Sequence, residues 1–106
     1  MHKFMRLLVF FDLPIQKKEQ RRIATGFRKF LLKDGYHMVQ YSVYARVCCG
    51  NDAVEKHVKR LQTHRPPGGS ARILVLTEKQ YENMIILIGE RMSGEACTAD
   101  EKLSIF

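Results

Sequence analysis

Near the N-terminus, Met5-Arg6-Leu7-Leu8-Val9-Phe10-Phe11 forms a β-rich apolar run that stops on the carboxylate of Asp12, with Pro14 two positions later. So short a run, dense in Leu, Val and Phe, reads as a buried strand from Lys3 to Asp12. The period then changes. Ile23, Phe27, Phe30 and Leu31 recur at i, i+4, i+7 and i+8, which predicts an amphipathic helix over 17–34 with one apolar stripe. Gly35 supplies its stop.

From His37 to Cys49 the chain is strand-like again, and the spacing predicts two short strands with a tight turn near Tyr41-Ser42. Asn51 or Asp52 is placed to cap a second helix, with Asp52 and Glu55 resembling a capping box. Val54, Val58 and Leu61 supply its apolar stripe. His64 to Ser70 is a loop by composition, and Ala71 to Thr77 is a further strand. A short polar turn or helix (Glu78 to Asn83) leads into Met84-Ile85-Ile86-Leu87-Ile88-Gly89, which reads as an extra strand. Residues 91–106 form an acidic tail.

The order strand, helix, strand, strand, helix, strand predicts an α+β domain over residues 1–90. It is a ferredoxin-like β-α-β-β-α-β arrangement with both helices on one sheet face and an added C-terminal strand near 84–89. An uncovered apolar sheet face calls for a partner, and a spare terminal strand can add to a neighbouring edge. A homodimer through the open sheet face is the economical expectation.

At 106 residues the chain has room for one core. No apolar run approaches the roughly 20 residues of a membrane span, and no signal-peptide core precedes Asp12. The expected compartment is the cytoplasm, with no membrane partner. Cys48, Cys49 and Cys97 offer no paired metal-ligand spacing and no disulfide framework. The four histidines, His2, His37, His57 and His64, are scattered and read as surface or boundary residues.

Charge is uneven. Through Val75 there are fifteen Lys/Arg against five Asp/Glu, and from Leu76 onward three against six. A basic body with an acidic end points to a polyanionic partner. On the first helix, Lys17, Lys18, Arg21, Arg22, Arg28 and Lys29 are the candidate phosphate contacts. No zinc finger, recognition helix or RNP aromatic pair suggests base readout, so binding should follow the nucleic-acid backbone.

Asp12 has two readings. A carboxylate at a strand end can cap the following turn, or it can hold a hard cation such as Mg²⁺. One carboxylate is a poor Mg²⁺ site, and no second acid lies close in sequence. A two-fold axis bringing Asp12 together with its copy would supply one. Ser42 and Tyr44 are candidates to position substrate or to lie in the interface between copies.

Three segments in order resemble the CRISPR-associated protein two family, especially members from systems with a large single effector nuclease. They are Leu7 to Pro14, Gly35 to Tyr44 with its Gln40-x-Ser42-Val43-Tyr44 pattern, and Leu76 to Met84 followed by Ile88-Gly89-Glu90. The resemblance implies a homodimer acting in spacer acquisition, bridging dimers of the CRISPR-associated protein one integrase with duplex DNA laid across the assembly. It also implies a metal-dependent endonuclease of RNA or DNA, with Mg²⁺ or Mn²⁺ at Asp12 as metal ligand and catalytic carboxylate. Two alternatives stand beside this reading: a stand-alone metal-dependent endoribonuclease related to toxin ribonucleases, and a ferredoxin-like regulatory module that binds no nucleic acid. The basic helix disfavours the last.

Overall fold

A computed structural model describes residues 3–89. The N-terminal Met1 and His2 and the acidic tail, Cys97 included, lie outside the described residues. The chain runs β1 (Phe4–Asp12), α1 (Lys18–Lys33), β2 (His37–Gln40), β3 (Val43–Cys49), α2 (Asn51–Thr63), β4 (Ser70–Thr77) and α3 (Glu78–Glu82). The strands form one sheet in the order β2-β3-β1-β4, with every neighbouring pair antiparallel. This is the expected α+β, ferredoxin-like arrangement.

Central position explains the density of β1. Its odd-numbered residues Leu7, Val9 and Phe11 face the helices and join Ala24, Phe27 and Leu31 of α1 and Leu61 of α2 in the main core. Phe11 meets Phe27 edge-on at 5.2 Å and stacks on Tyr44 at 5.7 Å. The helix α1 ends as Gly35 predicts. Gly35 takes φ +96°, its N–H donates to the Leu32 carbonyl, and the Tyr36 N–H donates to the Leu31 carbonyl.

The opposite sheet face carries Leu8 and Ala45, which α3 covers with the fully buried Tyr81. Arg6 is also on this face, with its guanidinium 4.5 Å from the Tyr81 ring centre and its Nε donating to Glu78 at 2.9 Å. The rest of this face stays open: Phe10, Val47 and Leu74 are 37%, 39% and 46% exposed. The outer edge of β4 has no strand beside it among the described residues.

Four expectations are corrected. Residues 84–89 form no strand. A strand needs a ladder partner, and α3 carries this segment to a cavity of about 450 Å³ beside Val39 and Gln40 of β2. That strand is four residues long with a register shift between Met38 and Gln40, too short and irregular to template a ladder. At the start of α2 no side chain caps the helix. Gly50 holds the N-cap at φ +89°, and Asp52 sits inside the first turn, where its charge favours the helix dipole. The capping box is at α3 instead: the Gln80 N–H donates to Thr77 Oγ1 at 3.1 Å and the Thr77 N–H to Gln80 Oε1 at 2.9 Å. His57, expected near the surface, is buried with Nδ1 3.0 Å from the Asp34 carboxylate.

Candidate nucleic-acid interface and acidic strand end

Three elements converge on Asp12. Its backbone pairs with Ser70 at the start of β4, while the neighbouring Phe10 pairs with Val43 on one side and Arg72 on the other. The β2–β3 turn is held against this strand end because the Phe11 N–H donates to the Ser42 carbonyl at 3.1 Å. Ser42 is at φ +64°, among the described residues the single non-glycine in the left-handed region. That conformation costs about 1 kcal/mol or more, and the surrounding ladder holds it. Gly69 closes the other side at φ +82°; a Cβ there would lie 2.6 Å from the Asp12 carbonyl oxygen.

The result is an open depression of about 280 Å³ where Asp12, Ser42 and Ser70 meet Tyr41 and Arg72. It contains one carboxylate, two serine hydroxyls, the Tyr41 phenol and a guanidinium. Among the described residues no three His, Cys, Asp or Glu side chains come together. A single chain therefore brings one carboxylate to the depression, the fewest that Mg²⁺ takes alongside phosphate and water. Arg72 in the same depression supplies a guanidinium that can pair with a phosphate.

The basic residues separate into two groups. Lys18, Arg21, Arg22 and Lys29 line one groove of about 460 Å³ along the solvent face of α1, with Thr25 and Gly26 as its floor. This face is turned from the core because the buried positions of the helix are Ala24, Phe27 and Leu31. Arg21 Nη1 donates to the Ile15 and Gln16 carbonyls at 3.1 and 3.0 Å, so it also braces the β1–α1 loop. Arg22 donates twice to Glu19, at 2.7 and 3.1 Å, which holds the Glu19 carboxyl below the usual carboxylate range. Lys18 and Lys29 form no ion pair among the described residues, and they are the cations most available to a phosphate.

Arg28 and Lys17 stand apart from that groove. Arg28 Nη2 donates to the Tyr41 hydroxyl at 3.1 Å, so this arginine belongs with the Asp12 depression. Lys17 is the N-cap position of α1, and its backbone N–H donates to Gln20 Oε1 at 2.9 Å. Tyr44 corrects the sequence reading: it is 3% exposed in the helix-side core, where it can neither touch substrate nor line a contact between copies. Alternation along β3 put it on the opposite face from Val43. Ser70, Arg72 and Tyr41 escaped the sequence reading. The first two reach Asp12 only through the β1–β4 register, which no local pattern encodes.

With this geometry in place, comparison with known proteins is decisive. The profile of the family described as CRISPR-associated protein Cas2 matches residues 5–84. This chain belongs to the Cas2 family. The matched span contains Asp12, the α1 groove and the β4 residues of the depression. A CRISPR-associated endoribonuclease Cas2 of Acidovorax ebreus is 47% identical over 102 residues, covering 96% of this chain and all of that protein. Proteins of the same name from Ligilactobacillus salivarius and Campylobacter jejuni are 43% identical over 99 residues and 38% over 104. These alignments cover 93% and 98% of this chain, and 98% and 73% of the relatives. Membership in the Cas2 family leaves the regulatory module without nucleic acid unsupported. No helix among the described residues is long and apolar enough to cross a membrane.

Proposed function

We propose that this Cas2-family chain works in the cytoplasm as a homodimer that binds the backbone of duplex DNA and bridges integrase dimers of CRISPR-associated protein one during spacer acquisition. The observation carrying this reading is the α1 groove, where Lys18, Arg21, Arg22 and Lys29 align on a face directed away from the core. Cations spaced along one helix face neutralise successive phosphates and read no bases. The partly bare sheet face with Phe10, Val47 and Leu74 supports pairing of two copies.

A second reading rests on the depression at Asp12 and on the relatives named endoribonucleases. In it the chain hydrolyses phosphodiesters of RNA or DNA, with Asp12 as the acidic group and Ser42 and Arg72 beside the scissile phosphate. A Mg²⁺ or Mn²⁺ ion would be held by Asp12, from both copies where a two-fold axis brings them together, with phosphate and water completing its oxygen ligands.

Spacer acquisition in cells separates the two readings. The scaffold requires that Asp12→Asn retain acquisition while Lys18→Gln with Lys29→Gln loses it. Loss of acquisition in Asp12→Asn, with duplex binding intact, would instead make hydrolysis the function.

A further inference from the structure

Tyr41 is 70% exposed at the tip of the β2–β3 turn, an unusual place for a large aromatic ring. It is nevertheless held firmly. The Arg28 guanidinium lies 5.1 Å from the Tyr41 ring centre and donates to its hydroxyl at 3.1 Å. The same guanidinium reaches the Phe11 ring at 5.8 Å, which anchors the pair to the core. Ser42 next to it sits in the left-handed region and is tied to β1, which fixes the backbone of the turn that presents Tyr41. The ring borders the depression that contains Asp12, Ser70 and Arg72.

We infer that Tyr41 is a stacking platform for an unpaired nucleobase, placing the adjoining phosphate in the Asp12 depression. An aromatic face backed by a cation takes any base, since every base has a π face. Arg72 is the phosphate's counter-charge there. Within a duplex the base faces are already stacked on one another, so the ligand is a single-stranded end or overhang. This inference rests on the nucleic-acid reading above and adds a specificity for frayed or single-stranded ends that the α1 groove does not provide.

The chain contains no tryptophan, so Tyr41→Trp introduces a single indole reporter. Its emission is read in the full-length protein while a blunt duplex, the same duplex with 3′ thymidine overhangs, and one with abasic overhangs are titrated by anisotropy. The expected result is quenching by the thymidine overhang alone. Tyr41→Ala should weaken binding of that duplex about tenfold and leave the blunt duplex unchanged, while Tyr41→Phe stays close to wild type. Binding of all three duplexes with unaltered emission overturns the stacking role and leaves backbone binding intact. Failure to bind any duplex overturns both readings. Emission that changes with protein concentration in the absence of DNA assigns Tyr41 to contact between copies and overturns the inference.

Discussion

Asp34 ends α1, and its carboxylate reaches across to α2, accepting from Arg60 Nε at 2.8 Å and facing His57 Nδ1 at 3.0 Å. Its carbonyl accepts from Arg46 of β3. Beside this cluster, burial pushes the Tyr36 phenol well above its ordinary range, with the Asp34 charge adding to the shift, and burial also raises the Cys48 thiol. Both groups are neutral when protonated, so the folded chain keeps protons that the unfolded chain releases. Their contribution is complete below the ordinary thiol value of about 8.5 and is lost as pH rises past it and past the phenol value near 10. The melting temperature should fall between about pH 8 and about pH 11, and Tyr36→Phe should flatten the upper part of that fall. At neutral pH the same variant should match or exceed wild type, because it removes a buried hydroxyl with no hydrogen-bond partner among the described residues. Thermal melts across pH check both; a destabilised Tyr36→Phe at pH 7 would contradict the reading. At this scale the sequence was legible for the place of Asp12 at the end of β1 and for the stop at Gly35, both of which follow from neighbours in the chain. His57 was not, because its partner Asp34 lies 23 positions away. Tyr44 was misread because the facing of β3 depends on its register with β1.

Glycines hold two element junctions, and one of them, Gly69, packs against the Asp12 strand end. At Gly35 an added Cβ would meet the tip of the Arg46 side chain, which can move, whereas at Gly69 it would meet the Asp12 carbonyl and Leu13. Both positions also demand left-handed backbone. Gly69→Ala should therefore cost about 2 kcal/mol or more and Gly35→Ala about 1 kcal/mol, measured by urea unfolding. Equal costs would show that the loop before β4 yields freely and does not fix Asp12. Most elements were legible because period and punctuation agree: a 3.6-residue stripe closed by Gly35, and apolar runs closed by turns. The extra strand was not. Residues 84–89 have strand composition, but strand formation depends on an available edge, and in one chain their neighbour is the short, irregular β2. The Thr77-Glu78-Lys79-Gln80 capping signature was present in the sequence and marks α3 correctly.

For the whole molecule, the bare sheet face, the outer edge of β4 and the cationic groove lie on different surfaces, so the proposed pairing of copies would leave the α1 groove uncovered. Leu74→Glu, placing a charge on the open face, should convert a sedimenting dimer to a folded monomer at micromolar concentration; an undisturbed dimer would locate the contact elsewhere. The fold class was legible because element order restricts topology to few solutions, whereas the shape of the charged surface emerged only once α1 was seated on the sheet. The most direct measurement is a salt titration of duplex DNA affinity by fluorescence anisotropy, comparing wild type with Lys18→Gln, Lys29→Gln. Each phosphate contact contributes about −0.9 to the slope of log K against log salt. The double variant should bind more weakly, with a slope shallower by about 2 for each engaged copy. Affinity and slope that match wild type would show that nucleic acid does not follow the α1 groove.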